Sequence, residues 1–185
     1  MTDERVERAF REHPSFERVD DENDEFETTF TSLDGVVSVI GESSGEESED
    51  ESDRREYRVA VTTPGIDAVV AGETVAEVVR DGWFETLERR LADAHTVASA
   101  DEATPPTVER EGEDVVITVD FVQGDPDRAA EDAKAIVEYV EGTWVQGLIP
   151  GYDYREPAAG FRERAKQNYD EGDSGPTGDA GGTPL

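Results

Sequence analysis

Apolar and polar residues alternate from Tyr57 to Val61 and again from Val115 to Phe121. Successive side chains of a strand point to opposite faces, so each run predicts a strand with one buried face. Tyr57, Val59 and Val61 line one such face; Val115, Ile117, Val119 and Phe121 line the other. Residues 25–32 carry the same signal through Phe26, Thr28 and Phe30. They lead into Asp34-Gly35, a dipeptide that favours a hairpin turn, and then into the apolar stretch 36–40. Val108 opens a further strand, separated by Glu111-Gly112-Glu113 from the one that follows.

Helical spacing occupies the intervals. Val6, Ala9 and Phe10 predict a helix over residues 3–13, stopped by Pro14 because the residue before a proline avoids helical geometry. Thr74-Val75-Ala76-Glu77 has the form of a capping box, in which hydroxyl and carboxylate satisfy each other's end of the first turn. The helix it predicts runs over residues 74–94, with Val75, Val78, Val79, Trp83, Leu87 and Leu91 as its apolar stripe and His95 beyond its end. Gly82 lies inside it at a cost of about 1 kcal/mol relative to Ala, which implies a close contact or a kink. After a linker over residues 96–105, Asp125-Pro126 supplies a cap and a first-turn proline. Ala129, Ala133, Ile136, Val137, Val140 and Trp144 then follow at helical intervals until Gly147 and Pro150-Gly151. A short helix is expected over residues 158–167.

The resulting order, α-β-β-β-α-β-β-α, predicts a single α+β domain over residues 1–168. It contains an antiparallel sheet of about five strands with helices packed on one face. Residues 42–54 and the tail 169–185 are almost wholly Glu, Asp, Ser, Gly, Thr and Pro and are expected to be disordered.

Composition changes the picture in one respect. The chain has 47 acidic and 17 basic residues, a net charge of −30, and the basic residues are Arg except for Lys134 and Lys166. Such a charge opposes compaction in dilute buffer. In about 1 M salt the Debye length falls to about 3 Å and most of the repulsion is screened. A salt-rich solvent is therefore expected, with a fold that loosens at low salt. The charge has the wrong sign for nucleic acid, whose phosphates bind basic clusters. Cysteine is absent, so there is no disulfide or thiolate metal site. No apolar run reaches about 18 residues and no signal-peptide pattern opens the chain, so a cytoplasmic protein without a membrane partner is expected.

Candidate chemistry is sparse. Residues 41–45 match the G-x-S-x-G nucleophile elbow, but an acidic stretch follows where a helix is required. The acidic clusters at 20–25 and 46–53 lack the glycine and closing glutamate of a calcium hand. His13 and His95 are too few for a histidine metal centre, and no carboxylate pair stands out. No catalytic residue, metal or cofactor is expected. The most unusual segment is 141–157, EGTWVQGLIPGYDYREP. Trp, Tyr and Arg anchor binding hot spots, so Trp144, Gln146, Tyr152, Tyr154 and Arg155 are the candidate binding residues. The competing reading has the same aromatics sealing the edge of the core.

DGWFETLERRLADA (81–94), EGTWVQGLIPGYDYREPAA (141–159) and DAVVAGET (67–74) resemble a haloarchaeal family of short acidic proteins of unknown function. The resemblance spans most of residues 1–165 and implies a halophilic source but no activity. The element order is similar to that of the secretion-chaperone-like fold, whose members dimerise and bind polypeptides. A non-enzymatic protein-binding or chaperone-like module is therefore expected, with another protein or a second copy as partner. The alternative is a small-molecule-binding or hydrolytic domain with a pocket near 144–156.

Overall fold

The computed structural model describes residues 4–19, 24–42 and 54–172. Helix α1 (Glu4–Glu12) precedes four strands, β1 (Phe16–Arg18), β2 (Glu25–Thr28), β3 (Asp34–Glu42) and β4 (Arg55–Pro64). A single-turn helix α2 (Ile66–Val69) runs directly into β5 (Val70–Ala71), and α3 (Glu77–Leu91) follows. After a 3-10 turn at Ala94–Val97 come β6 (Glu102–Ala103), β7 (Thr107–Glu111) and β8 (Asp114–Gln123). The chain then forms α4 (Pro126–Gln146), β9 (Asp153–Tyr154) and α5 (Ala158–Gly172).

The fold is α+β, built on a seven-stranded antiparallel sheet in the order β1-β2-β3-β4-β8, with β6 and β7 sharing the far edge of β8. That edge is one strand in two pieces because Pro105-Pro106 lies between them and proline has no amide hydrogen for the ladder. In register, Phe26 lies opposite Val37, Val37 opposite Val59 and Val59 opposite Val119, so one row of apolar side chains crosses the sheet. These residues, with Tyr57, Val61, Ile117 and Phe121, are fully buried beneath the helices. The opposite face carries half-buried Val36, Ala60, Thr62, Val116 and Thr118. A two-bond pair also lies there, Arg58 donating to both oxygens of Asp120 at 2.8 Å.

Alternation and helical spacing converge on one core. Phe10 of α1 stacks on Phe26 (4.7 Å between centroids) and on Tyr57 (6.0 Å), and Tyr57 stacks on Phe121 (5.3 Å). Helix α4 lies across the sheet through Ala129, Ala133, Ile136, Val137 and Val140. Asp125 caps it as the sequence requires, accepting from the amides of Asp127 and Arg128. The buried carboxylate of Asp132 accepts from the Ser99 amide (2.6 Å) and the Gln123 side chain (3.1 Å), fixing the path of residues 98–101.

Several expectations are corrected. The sheet has seven strands where about five were expected, and a separate two-stranded ribbon, β5 with β9, was not foreseen. The turn between β2 and β3 occupies residues 29–33, and Asp34-Gly35 already belongs to β3. Gly35 serves packing: a Cβ there would lie 2.8 Å from the Thr28 hydroxyl on the neighbouring strand. Helix α3 begins at Glu77 with Ala76 as an unassisted cap, so the predicted capping box does not form. Val75 is buried, and the chain stays extended through 74–76 to place it. Val78, expected on the apolar stripe, is instead exposed. Helix α5 continues to Gly172, past its predicted end near 167. The acidic stretch 43–53, most of the 41–45 motif and the tail beyond 172 lie outside the described residues. Among the described residues, no helix is long and apolar enough to cross a membrane.

Candidate functional site

Each of the aromatic and arginine side chains of segment 141–157 finds a backbone carbonyl or the core. Trp144 is fully buried, donates its indole N–H to the Pro64 carbonyl at 2.9 Å and meets Phe161 edge-on at 5.9 Å. Tyr154 lies in β9 against β5 and donates its hydroxyl to the Ile149 carbonyl at 2.8 Å. Burial raises the Tyr154 phenol pKa above its ordinary value, with the nearby Arg162 guanidinium opposing the shift. Arg155 donates its amide to Val69 and its guanidinium to the Val70 carbonyl. Tyr152 is half-buried against the core and its carbonyl accepts from Arg162. Gln146 and Arg155 are the exposed members of the five, and Gln146 is the one that lies on a helix surface.

Gln146 leads to a groove that the other four do not line. Helices α3 and α4 run antiparallel and are clamped at two points. At one end the Trp83 indole donates to the Gly147 carbonyl at 3.0 Å; at the other the Tyr139 hydroxyl donates to the Arg90 carbonyl at 3.2 Å. Between the clamps lies a cleft of about 360 Å³ bounded by Gly82, Thr86 and Arg90 of α3, by Thr143 and Gln146 of α4, and by the turn 147–150. It adjoins a wider cleft of about 620 Å³ reaching Gly142, Tyr139 and Glu138, with Arg90, Thr143 and Gln146 common to both. Leu148, Ile149 and Pro150 give the cleft an apolar side, and Arg90, whose guanidinium lies 3.5 Å from the Gln146 carbonyl, adds a cation.

Gly82 is neither a close contact nor a kink. A Cβ built at Gly82 or at Gly142 meets no atom within 4 Å, and α3 is continuous through Gly82. Both glycines are interior to their helices and both line the clefts. Sequence reasoning registered the cost of Gly82 but not its direction, and it missed Gly142, Thr86 and Arg90. The findable signal was the pair: two helix-interior glycines in two neighbouring helices.

Residues 11–164 match the model of a protein family described as a family of unknown function, DUF5813. The chain belongs to the DUF5813 family. No curated protein and no solved structure matches it.

Elsewhere among the described residues of this DUF5813 chain, several charged groups pair internally, while the buried hydroxyls of Thr28 and Thr63, Nδ1 of His95 and one carboxylate oxygen of Glu141 have no hydrogen-bond partner. A smaller cavity of about 140 Å³ between α3 and the β7–β8 turn contains two ion pairs, Arg80 with Asp67 and Arg110 with Asp81. Arg110 also lies over the Phe84 ring at 4.2 Å. His13 accepts from the Ser15 amide through one ring nitrogen and meets Glu131 with the other, a structural role.

Proposed function

We propose that this DUF5813 chain is a non-enzymatic protein-binding module of a salt-rich cytoplasm, and that it binds through the α3–α4 groove. The observation that carries this is the pair of open helix-interior glycines. Each weakens its helix by about 1 kcal/mol relative to Ala. At neither position does packing within the fold require the Cβ to be absent. Local rules broken without compensation within the fold mark functional surfaces. Small floors let a second chain approach two helices closely. The polar lining argues against chemistry: the Thr86 hydroxyl donates to the Gly82 carbonyl and Glu138 pairs with Lys134. The alternative, a small-molecule pocket converging on Arg155, draws no support from the ribbon, where that guanidinium bonds the Val70 carbonyl. The salt-rich setting rests on the net charge of −30.

The test is affinity capture from lysate of the source cells in molar KCl, comparing the intact chain with a Gly82→Leu/Gly142→Leu variant. A Cβ at either position meets no atom within 4 Å, and circular dichroism confirms that the variant keeps the fold before capture is compared. A protein held by the intact chain and lost from the variant supports the groove. Equal capture by both removes the groove from the proposal.

A further inference from the structure

We infer that the open face of the seven-stranded sheet is where two copies of this chain pair, packed face to face about a two-fold axis that runs along the strands between β4 and β8. The helices send their apolar side chains into the core on one face of the sheet; among the described residues none packs on the other. An antiparallel sheet can leave one face to water, and its outward positions are then polar. Here the outward face has a centre and a rim. Val36, Ala60, Thr62, Val116 and Thr118 form the centre, half-buried and uncharged. Acids surround it. Glu25 and Glu27 flank it on β2, and Glu102 and Glu109 on β6 and β7. Asp34, Glu56 and Asp114 lie toward the ends of the central strands. An uncharged centre inside a charged rim is the anatomy of a protein interface.

Charge and area select a second copy as the occupant. One ion pair interrupts the centre. Arg58 and Asp120 lie directly opposite each other on β4 and β8, joined by two bonds of 2.8 Å. Rotation about the proposed axis lays β8 of the second copy over β4 of the first. Each Arg58 then faces the other copy's Asp120, Ala60 faces Thr118, and Thr62 faces Val116. The face is thus its own complement, as a two-fold interface requires. Strands β3, β4, β8 and the β6–β7 edge present an area about 19 Å by 30 Å, on the order of 600 Å² per copy. The pair buries about 1,200 Å², the lower bound of a stable interface, which suits micromolar association. The edges offer no competing route. Strand β1 has three residues, and the far edge carries Pro105-Pro106 and Glu109, devices that block strand addition. In molar salt the Debye length of about 3 Å screens the rims of two acidic chains, while a contact pair at the centre is screened far less.

The test is light scattering and sedimentation of the full chain in molar KCl across the micromolar range, where a monomer–dimer equilibrium is expected. Thr118→Glu puts an unpaired carboxylate at the centre of each face and weakens the dimer at least about tenfold. The sharper variant is Arg58→Asp/Asp120→Arg, which keeps the cross-strand pair within each copy but exchanges its ends. It dimerises with itself. Its mixed dimer with the unmodified chain sets Arg on Arg and Asp on Asp, and forms about tenfold more weakly. The chain has no cysteine, so one appended at the C-terminus of each carries a donor or acceptor dye, and energy transfer reads the mixing. Circular dichroism confirms that each variant is folded. Free mixing of the two chains overturns the proposed axis, and a dimer indifferent to Thr118→Glu overturns the face. A chain that stays monomeric to millimolar concentration overturns self-pairing. The groove between α3 and α4 lies on the helical side of the sheet, so its lysate capture succeeds or fails independently of this result.

Discussion

Replacing Gly82 by Ala makes this protein more stable. The helix interior favours Ala over Gly by about 0.8–1.0 kcal/mol, because Ala restricts the unfolded chain more and exposes less helix backbone. Against this stands any steric penalty, and the structure sets it near zero: no heavy atom lies within 4 Å of the new Cβ. The position is exposed, so little burial is gained either. A net gain of about 1 kcal/mol corresponds to a rise in Tm of about 2–4 °C for a domain of this size. Gly35→Ala is the matched control. Its Cβ would fall 2.8 Å from Oγ1 and 2.9 Å from Cγ2 of Thr28, a short, buried, β-branched side chain that cannot swing away. Overpacking there costs about 1–3 kcal/mol. Both variants are measured by urea titration and calorimetry at one fixed KCl concentration. If Gly82→Ala lowers the midpoint, the glycine is required by the fold, and the case for the groove collapses with it.

Trp144→Phe keeps the ring in the core but leaves the Pro64 carbonyl without its donor, so it loses about 1–3 kcal/mol in urea unfolding; no loss contradicts that bond. The Tyr154 phenol has a folded pKa above its ordinary value near 10, so burial favours the neutral form. Its contribution is whole below that value and is lost as pH rises through the folded pKa, so stability falls more steeply above about pH 10 in the intact chain than in Tyr154→Phe; identical slopes contradict this. Two like charges about 10 Å apart in water repel by about 0.4 kcal/mol unscreened and by about 0.01–0.02 kcal/mol in molar salt. With a net charge of −30, circular dichroism across a KCl series should show native signal growing with salt; full signal in dilute buffer refutes the screening account.

The parts of the fold legible in the sequence are those whose signal is local and repeated. The strands around Tyr57–Val61 and Val115–Phe121 alternate over enough residues to fix a face, and Asp125-Pro126 specifies the start of α4 by its own chemistry. What escaped depends on distant partners. Strands β5 and β9 are two residues each and exist only because Val70 meets Tyr154 across the chain. Strand β1 has three residues and no alternation to detect; β2 supplies its register. Thr74 and Glu77 have the spacing of a capping box, but burial of Val75 outweighs the bond such a box provides.

The site was harder to read for a different reason. Aromatic composition indicates that a segment buries large rings, not whether against a partner or against its own core. What separates the two is the fate of each ring's polar tip. The indole of Trp144 finds Pro64, the phenol of Tyr154 finds Ile149 and the indole of Trp83 finds Gly147, all of them backbone carbonyls that only the folded chain brings within reach. Glycine poses the same ambiguity in reverse. A helix-interior glycine makes room, and the sequence does not say for what. Gly35 makes room for Thr28, a neighbour already in place. Gly82 and Gly142 make room on neighbouring helices where no neighbour stands, along the clefts between α3 and α4. Space that the fold leaves unfilled, at a cost in helix stability, is the reason for proposing a second molecule there.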